Sequence, residues 1–207
     1  MFKSCCALAT EAIKGGVCGS KKIAQSFYQN YSPVLVALHP PSFQMDQVVN
    51  LLIFDSSVKT NKNFHITLAI LSKSDWKKKR KCIESMIYET AIEHLSGNSR
   101  FTVNKVVKMG RFVALAGDPE SNSEIFLLNR EIELALYNCG VSVYKHTSPQ
   151  YFNPHISIFP RNYKSEHESD LLQHMGEALE QIPLSIEKVT INDGTGKETL
   201  VLDFSHS

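Results

Sequence analysis

Apolar and polar positions alternate along this chain with two different periods. Short β-branched runs alternate with longer stretches whose apolar residues recur every three or four positions. Pro33 opens Val34-Leu35-Val36-Ala37-Leu38, which reads as a buried strand that Pro40-Pro41 ends. Ser42 is placed to cap a helix over Phe43–Phe54, with Val48, Leu51 and Leu52 on one side. A polar loop, Ser56–Asn63, leads into a strand over Phe64–Leu71. Ser74 precedes a helix from Asp75 to Leu95, whose face is Ile83, Met86, Ile87, Ala91 and Leu95, and Ser96-Gly97 ends it. Phe101–Val107 and Phe112–Ala116 predict a hairpin around Met109-Gly110. A helix over Ser123–Asn138 stops near Gly140, a strand is expected at Val141–Tyr144, and Lys145–Asn153 forms a loop. The remaining elements are a strand at His155–Phe159, a helix over Glu168–Gln181, and a final hairpin. That hairpin joins Leu184–Ile191 to Thr199–Phe204 around Asp193-Gly194-Thr195-Gly196.

This order contains a strand–helix–strand–helix–two-strand unit twice. The repetition predicts an α+β fold of two pseudo-symmetric lobes with a cleft between them. Residues 1–30, rich in Gly, Ala, Ser and Lys, lie outside the repeat and read as an N-terminal extension; residues 31–207 are the domain.

Both copies of the unit carry the same pattern at the same place: Phe64-His65-Ile66-Thr67-Leu68 and Pro154-His155-Ile156-Ser157-Ile158. Side chains two apart on a strand share a face, so each copy presents one imidazole and one hydroxyl together. One such strand would more often hold a structural histidine. Two in matched settings point to a shared site, because paired imidazoles can act as general base and general acid while hydroxyls hold phosphate oxygens. His65 and His155 are therefore the candidate catalytic residues, and Thr67 and Ser157 the candidate phosphate-binding ones.

Composition narrows the chemistry. The formal net charge is +1, so no global field recruits a polyanion, and an anionic ligand must be held locally. Lys77-Lys78-Lys79-Arg80-Lys81 is expected to be a solvated helix face. The motif strands carry no Asp, Glu or Cys and the chain has no H-x-x-x-H, so neither a metal nor any other cofactor is expected. Ser157 lacks a G-x-S-x-G setting, which disfavours a serine nucleophile. The five cysteines are odd in number and lack a C-x-x-C pair. Free thiols in a reducing compartment are expected, and so a cytoplasmic or nuclear location. No run is apolar enough to span a membrane. Glu11 and Lys14 break the mildly apolar start, so no secretory signal is expected.

The two motifs, with Phe152-Asn153-Pro154 before the second histidine, resemble the 2H phosphoesterase superfamily across residues 33–205. Within it they look most like the central domain of the A-kinase anchoring protein 7 group and the viral 2′,5′-phosphodiesterases. The resemblance implies a LigT-like fold with the active site in the central cleft. It implies a metal-independent phosphodiesterase for 2′,5′-linked oligoadenylate or related ribose 2′-linked and 2′,3′-cyclic phosphodiesters. A 3′ RNA exonuclease, a cyclic-dinucleotide phosphodiesterase and a non-catalytic nucleotide-binding module are the alternatives. The exonucleases of the superfamily usually read His-x-Ser at both motifs, and Thr67 departs from that. No amphipathic kinase-anchoring helix is legible, so no protein partner is inferred and a monomer is expected. A substrate base would stack on Tyr144, Tyr151 or Phe152 before the second motif, or on Phe159 after it; Lys108, Arg111, Lys145 and Arg161 are candidate phosphate contacts. His39 and the other histidines carry no comparable context.

Overall fold

A computed structural model describes residues 33–53, 58–109, 112–159, 168–195 and 197–204. The chain divides into two units, Met1–Ser32 and Pro33–Ser207. The first lies outside the described residues, as do Arg111 and Arg161. The second unit runs β1 (Val34–His39), α1 (Ser42–Leu52), β2 (Ile66–Leu71), α2 (Lys73–His94), β3 (Arg100–Val103), β4 (Lys105–Met109), β5 (Phe112–Ala116), α3 (Ser123–Asn138), β6 (His155–Ser157), α4 (Glu168–Ala178), β7 (Ile182–Ser185), β8 (Lys188–Asn192) and β9 (Glu198–Asp203).

Seven strands form one antiparallel sheet in the order β4-β5-β6-β2-β1-β8-β9, and β3 pairs with β7 in a second, two-stranded sheet. The repeat in the structure is β1-α1-β2-α2-β3/β4 followed by β5-α3-β6-α4-β7/β8, so Phe112–Ala116 opens the second copy rather than closing the first. The two motif strands, β2 and β6, lie side by side at the centre, flanked by β1 and β5. A pseudo-twofold between β2 and β6 thus exchanges β1 with β5 and β4 with β8; β9 is an addition at one edge.

The inward residues of both motif strands, Ile66, Leu68, Ile156 and Ile158, are fully buried. Helix α3 packs Ile125, Leu128, Ile132 and Leu136 into the same core, and α2 adds Ile83, Ile87 and Ala91. A fully buried side chain of this kind contributes about 1.5–3 kcal/mol relative to exposure. The buried Asn129 of α3 donates to the Leu68 carbonyl (2.7 Å) and the Thr147 carbonyl (2.8 Å), fixing the helix to β2 and to the turn at Lys145–Thr147.

Both long runs expected as single strands are broken in two. Arg100–Met109 divides at Asn104 and Ile182–Asn192 at Ile186-Glu187; the first halves pair with each other and the second halves join opposite sides of the main sheet. Side-chain amides cap the outer edges of the small sheet. Asn122 accepts from the Thr102 amide (2.7 Å) and donates to its carbonyl (2.9 Å), while Gln44 accepts from the Ser185 amide (2.8 Å). These amides occupy edge groups that would otherwise be free to pair with another strand. They come from α3 and α1 sides of the repeat, so the pseudo-symmetry extends to individual hydrogen bonds.

Three local expectations are corrected. Val141–Tyr144 is not a strand: the Val141 amide bonds the Leu136 carbonyl (2.9 Å) after Gly140 turns at φ 66°, which closes α3 in a glycine C-cap. Ser72, rather than Ser74, caps α2, accepting from the Asp75 amide at 3.0 Å. Cys82 and Cys139 are not free thiols; they form a disulfide across α2 and the end of α3, with Cα atoms 6.1 Å apart. The case for a reducing compartment therefore loses these two cysteines.

Candidate active site

The motif strands meet at one residue pair, Ile66 opposite Ile156, the residue between histidine and hydroxyl in each copy. In an antiparallel pair the neighbours of a matched pair also face each other, on the opposite side of the sheet. His65 is therefore set against Ser157, and Thr67 against His155. The four side chains form a square, with imidazoles on one diagonal and hydroxyls on the other. Diagonal positions in such a ladder are roughly 7–8 Å apart, enough for a phosphodiester between the rings. All four side chains are half-buried while both isoleucines are sealed below them.

The same registers extend the floor. Ala37 lies beside Thr67, Ala114 beside Ser157 and Ala116 beside His155. Three alanines flanking the square leave room above it that larger residues would fill.

Backbone carbonyls orient both rings. His65 Nδ1 lies 3.2 Å from the Asn63 carbonyl and His155 Nδ1 lies 2.7 Å from the Asn153 carbonyl. A carbonyl only accepts, so Nδ1 carries the proton in each ring and Nε2 is left to face a ligand. Asn61 links the two motifs: its amide donates to the Ile158 carbonyl (2.7 Å) and its side chain to the carbonyls of Ser157 (2.9 Å) and Phe159 (3.2 Å). The loop before the first histidine is thereby tied to the strand bearing the second. Burial lowers the His65 pKa below the ordinary histidine value; the Asn63 carbonyl opposes this, and the nearby His155 adds to it.

His39 is the feature of the site that the sequence did not single out. It is 6% exposed, and its ring centroid is 6.0 Å from that of His65. Its Nε2 is 2.8 Å from Thr190 Oγ1 and 3.2 Å from Glu198 Oε1, and Thr190 Oγ1 donates to that carboxylate at 3.0 Å. Lys188 Nζ pairs with the other carboxylate oxygen at 3.3 Å. Burial pushes the His39 pKa down to about 4, against the attraction of Glu198. A small, shallow pocket opens here, lined by His39, Asn63, His65, Thr190, Asn192 and Glu198. The only sequence signal for this cluster was the place of His39 at the end of β1.

Of the aromatic candidates, Tyr144 and Tyr151 are 42% and 51% exposed on the segment between α3 and β6. Lys145 Nζ sits 4.6 Å over the Tyr151 ring, so one face of that ring is already covered. Phe152 is 7% exposed and packs edge-on against Phe126, with centroids 5.2 Å apart; it is a core residue and offers no face to a base. Phe159 is buried likewise. Lys108 is exposed on β4. Among the described residues no three His, Cys, Asp or Glu side chains cluster as metal ligands, and no helix is long and apolar enough to cross a membrane.

No protein-family model and no curated protein matches the chain. Solved structures do. Ligand-free LigT of E. coli superposes with a TM-score of 0.50 at 13% identity, covering 82% of this chain and 94% of that one. LigT of E. coli in complex with 3′-AMP gives 0.49 at 14% identity, over 82% and 94%. The MHV ns2 PDE domain gives 0.47 at 18% identity, over 61% of this chain and 81% of its own. The chain has the LigT-like fold, an α+β architecture with its two motif strands adjacent at the centre.

Proposed function

We propose that this protein is a metal-independent phosphodiesterase acting on ribose 2′-linked or 2′,3′-cyclic phosphodiesters, with 2′,5′-linked oligoadenylate as the leading substrate. The observation that carries this reading is the diagonal placement of His65 and His155 across Ile66 and Ile156. Displacement at phosphorus needs the attacking and leaving oxygens on opposite sides, so base and acid must flank the phosphate rather than share one side of it.

On a 2′,5′ linkage the neighbouring 3′-hydroxyl attacks phosphorus. One imidazole takes its proton, the other protonates the departing 5′-oxygen, and a 2′,3′-cyclic phosphate and a 5′-hydroxyl chain result. On a cyclic phosphate, water is the attacking group and a ribose oxygen leaves. Thr67 and Ser157 donate to the non-bridging oxygens as charge develops there. Tyr144 and Tyr151 are the rings that would receive a base. The protein is expected to work as a monomer in the cytoplasm or nucleus.

The test is purified protein with 2′,5′- and 3′,5′-linked oligoadenylate in EDTA, beside a His65→Ala/His155→Ala double variant. Cleavage of the 2′,5′ linkage by the wild type alone supports the reading. Loss of wild-type activity on adding EDTA overturns its metal-free mechanism. Inertness toward both linkages and toward 2′,3′-cyclic AMP overturns the phosphodiesterase assignment.

A further inference from the structure

The pseudo-twofold that exchanges His65 with His155 also exchanges their cross-strand neighbours, and there it fails. Leu38 pairs with Ile66, so the next position on β1, His39, is set beside His65. The corresponding position on β5, paired with His155, is Ala116. One candidate catalytic imidazole therefore has a buried aromatic ring at its side and the other has a methyl group. The sheet continues the difference: His39 pairs with Lys188 on β8, and beyond it Glu198 of β9 reaches back to His39 and Thr190.

We propose that His39 is a positioning residue that makes the two motif histidines unequal, setting His65 as the ring held in its neutral, proton-accepting form. This rests on the phosphodiesterase reading only for its kinetic consequence; the asymmetry itself is a property of the folded chain. His39 Nε2 meets Thr190 Oγ1, Thr190 donates to Glu198 Oε1, and the Phe64 carbonyl also accepts from the ring; burial outweighs these contacts and holds the ring uncharged. A neutral ring, tethered at its far end and 6.0 Å from His65, shields that imidazole from water without placing a cation beside it. The groups that bear on the charge of His65 are the Asn63 carbonyl, His155 from β6 and Glu198 from β9; those on His39 are Glu198, Lys188, His65 and the Phe64 carbonyl. Ala116 gives His155 no such neighbour.

The test is histidine titration by NMR on the intact protein, in the wild type, His39→Ala and His39→Gln. Alanine copies the Ala116 side; glutamine keeps a hydrogen bond to Thr190 but removes the ring. His65 is expected to move upward in both variants, by on the order of half a pH unit. The acid limb of kcat/KM should follow His65, so activity falls more at pH 6 than at pH 8. An unchanged His65 titration in a variant that melts cooperatively overturns the proposal. If His39→Ala fails to fold, the glutamine variant decides it. Because titration needs no substrate, an inactive protein would overturn the proposed reaction without touching this result.

Discussion

Under the proposed mechanism, replacing either motif histidine by alanine would remove one end of the proton path. Each single variant is expected to lose about 10²–10⁴-fold in kcat/KM, with the thermal midpoint nearly unchanged because both rings are half-buried rather than core. Activity that survives either replacement would exclude a two-histidine mechanism. Thr67→Ala and Ser157→Ala delete donors that matter most as charge builds on phosphate, and should lower kcat by about 10²–10³-fold with little change in KM. The pH profile should be bell-shaped. Burial holds His65 below the ordinary histidine value, so the limb that reports it lies on the acid side of that value.

At the scale of elements, Gly117 joins the end of β5 to the approach of the second motif, its amide bonding the Pro154 carbonyl at 3.4 Å. A Cβ there would lie 2.3 Å from Asn122 Nδ2 and 2.4 Å from the Thr102 carbonyl. Both atoms belong to the bonds that cap the edge of β3, so neither can move freely. Gly117→Ala should cost about 1–3 kcal/mol, read as a melting temperature lower by roughly 2–4 °C for each kcal/mol. A melting curve that matches the wild type would show that this edge is more pliant than its hydrogen bonds imply.

For the molecule as a whole, the Cys82–Cys139 bond closes a span of 57 residues between α2 and the end of α3. In the chain-entropy model such a loop adds about 4 kcal/mol by constraining the unfolded chain. Reduction, or Cys82→Ser, should lower the melting temperature, and equal melting with and without reductant would show that the bond contributes nothing. Stability should also depend on pH. His39 binds its proton near pH 4 when folded and near 6.5 when unfolded, so the unfolded chain holds more protons between these values. Its contribution is fully present above about pH 6.5 and is lost as pH falls toward 4, up to about 3 kcal/mol. His65 acts in the same direction. Urea midpoints at pH 7 and pH 4.5 should differ accordingly, and His39→Gln should narrow the gap.

The histidine–hydroxyl motif and the repeat were legible in the sequence because both rest on local periodicity. An imidazole and a hydroxyl two residues apart share a strand face whatever surrounds them, and the recurrence of apolar positions in 83–95 and 123–138 marks helices by itself. The helix cap after Gly140 was misread as a strand because Val141 and Val143 are apolar and β-branched, while the bond that decides the matter runs backward to Leu136. The two broken strands were read as whole because neither Phe101–Val107 nor Leu184–Ile191 contains a Gly or Pro to mark a break; only pairing with different partners divides them. Phe152 and Tyr151 are neighbours of the same chemical kind, and packing against Phe126 separates core from surface. The disulfide and the His39–Thr190–Glu198 cluster join residues far apart in sequence. Residue types, spacing and strand faces are thus properties of the sequence alone. Which residues stand beside the two histidines, and hence how unlike those histidines are, depends on strand order and register, which long-range pairing decides.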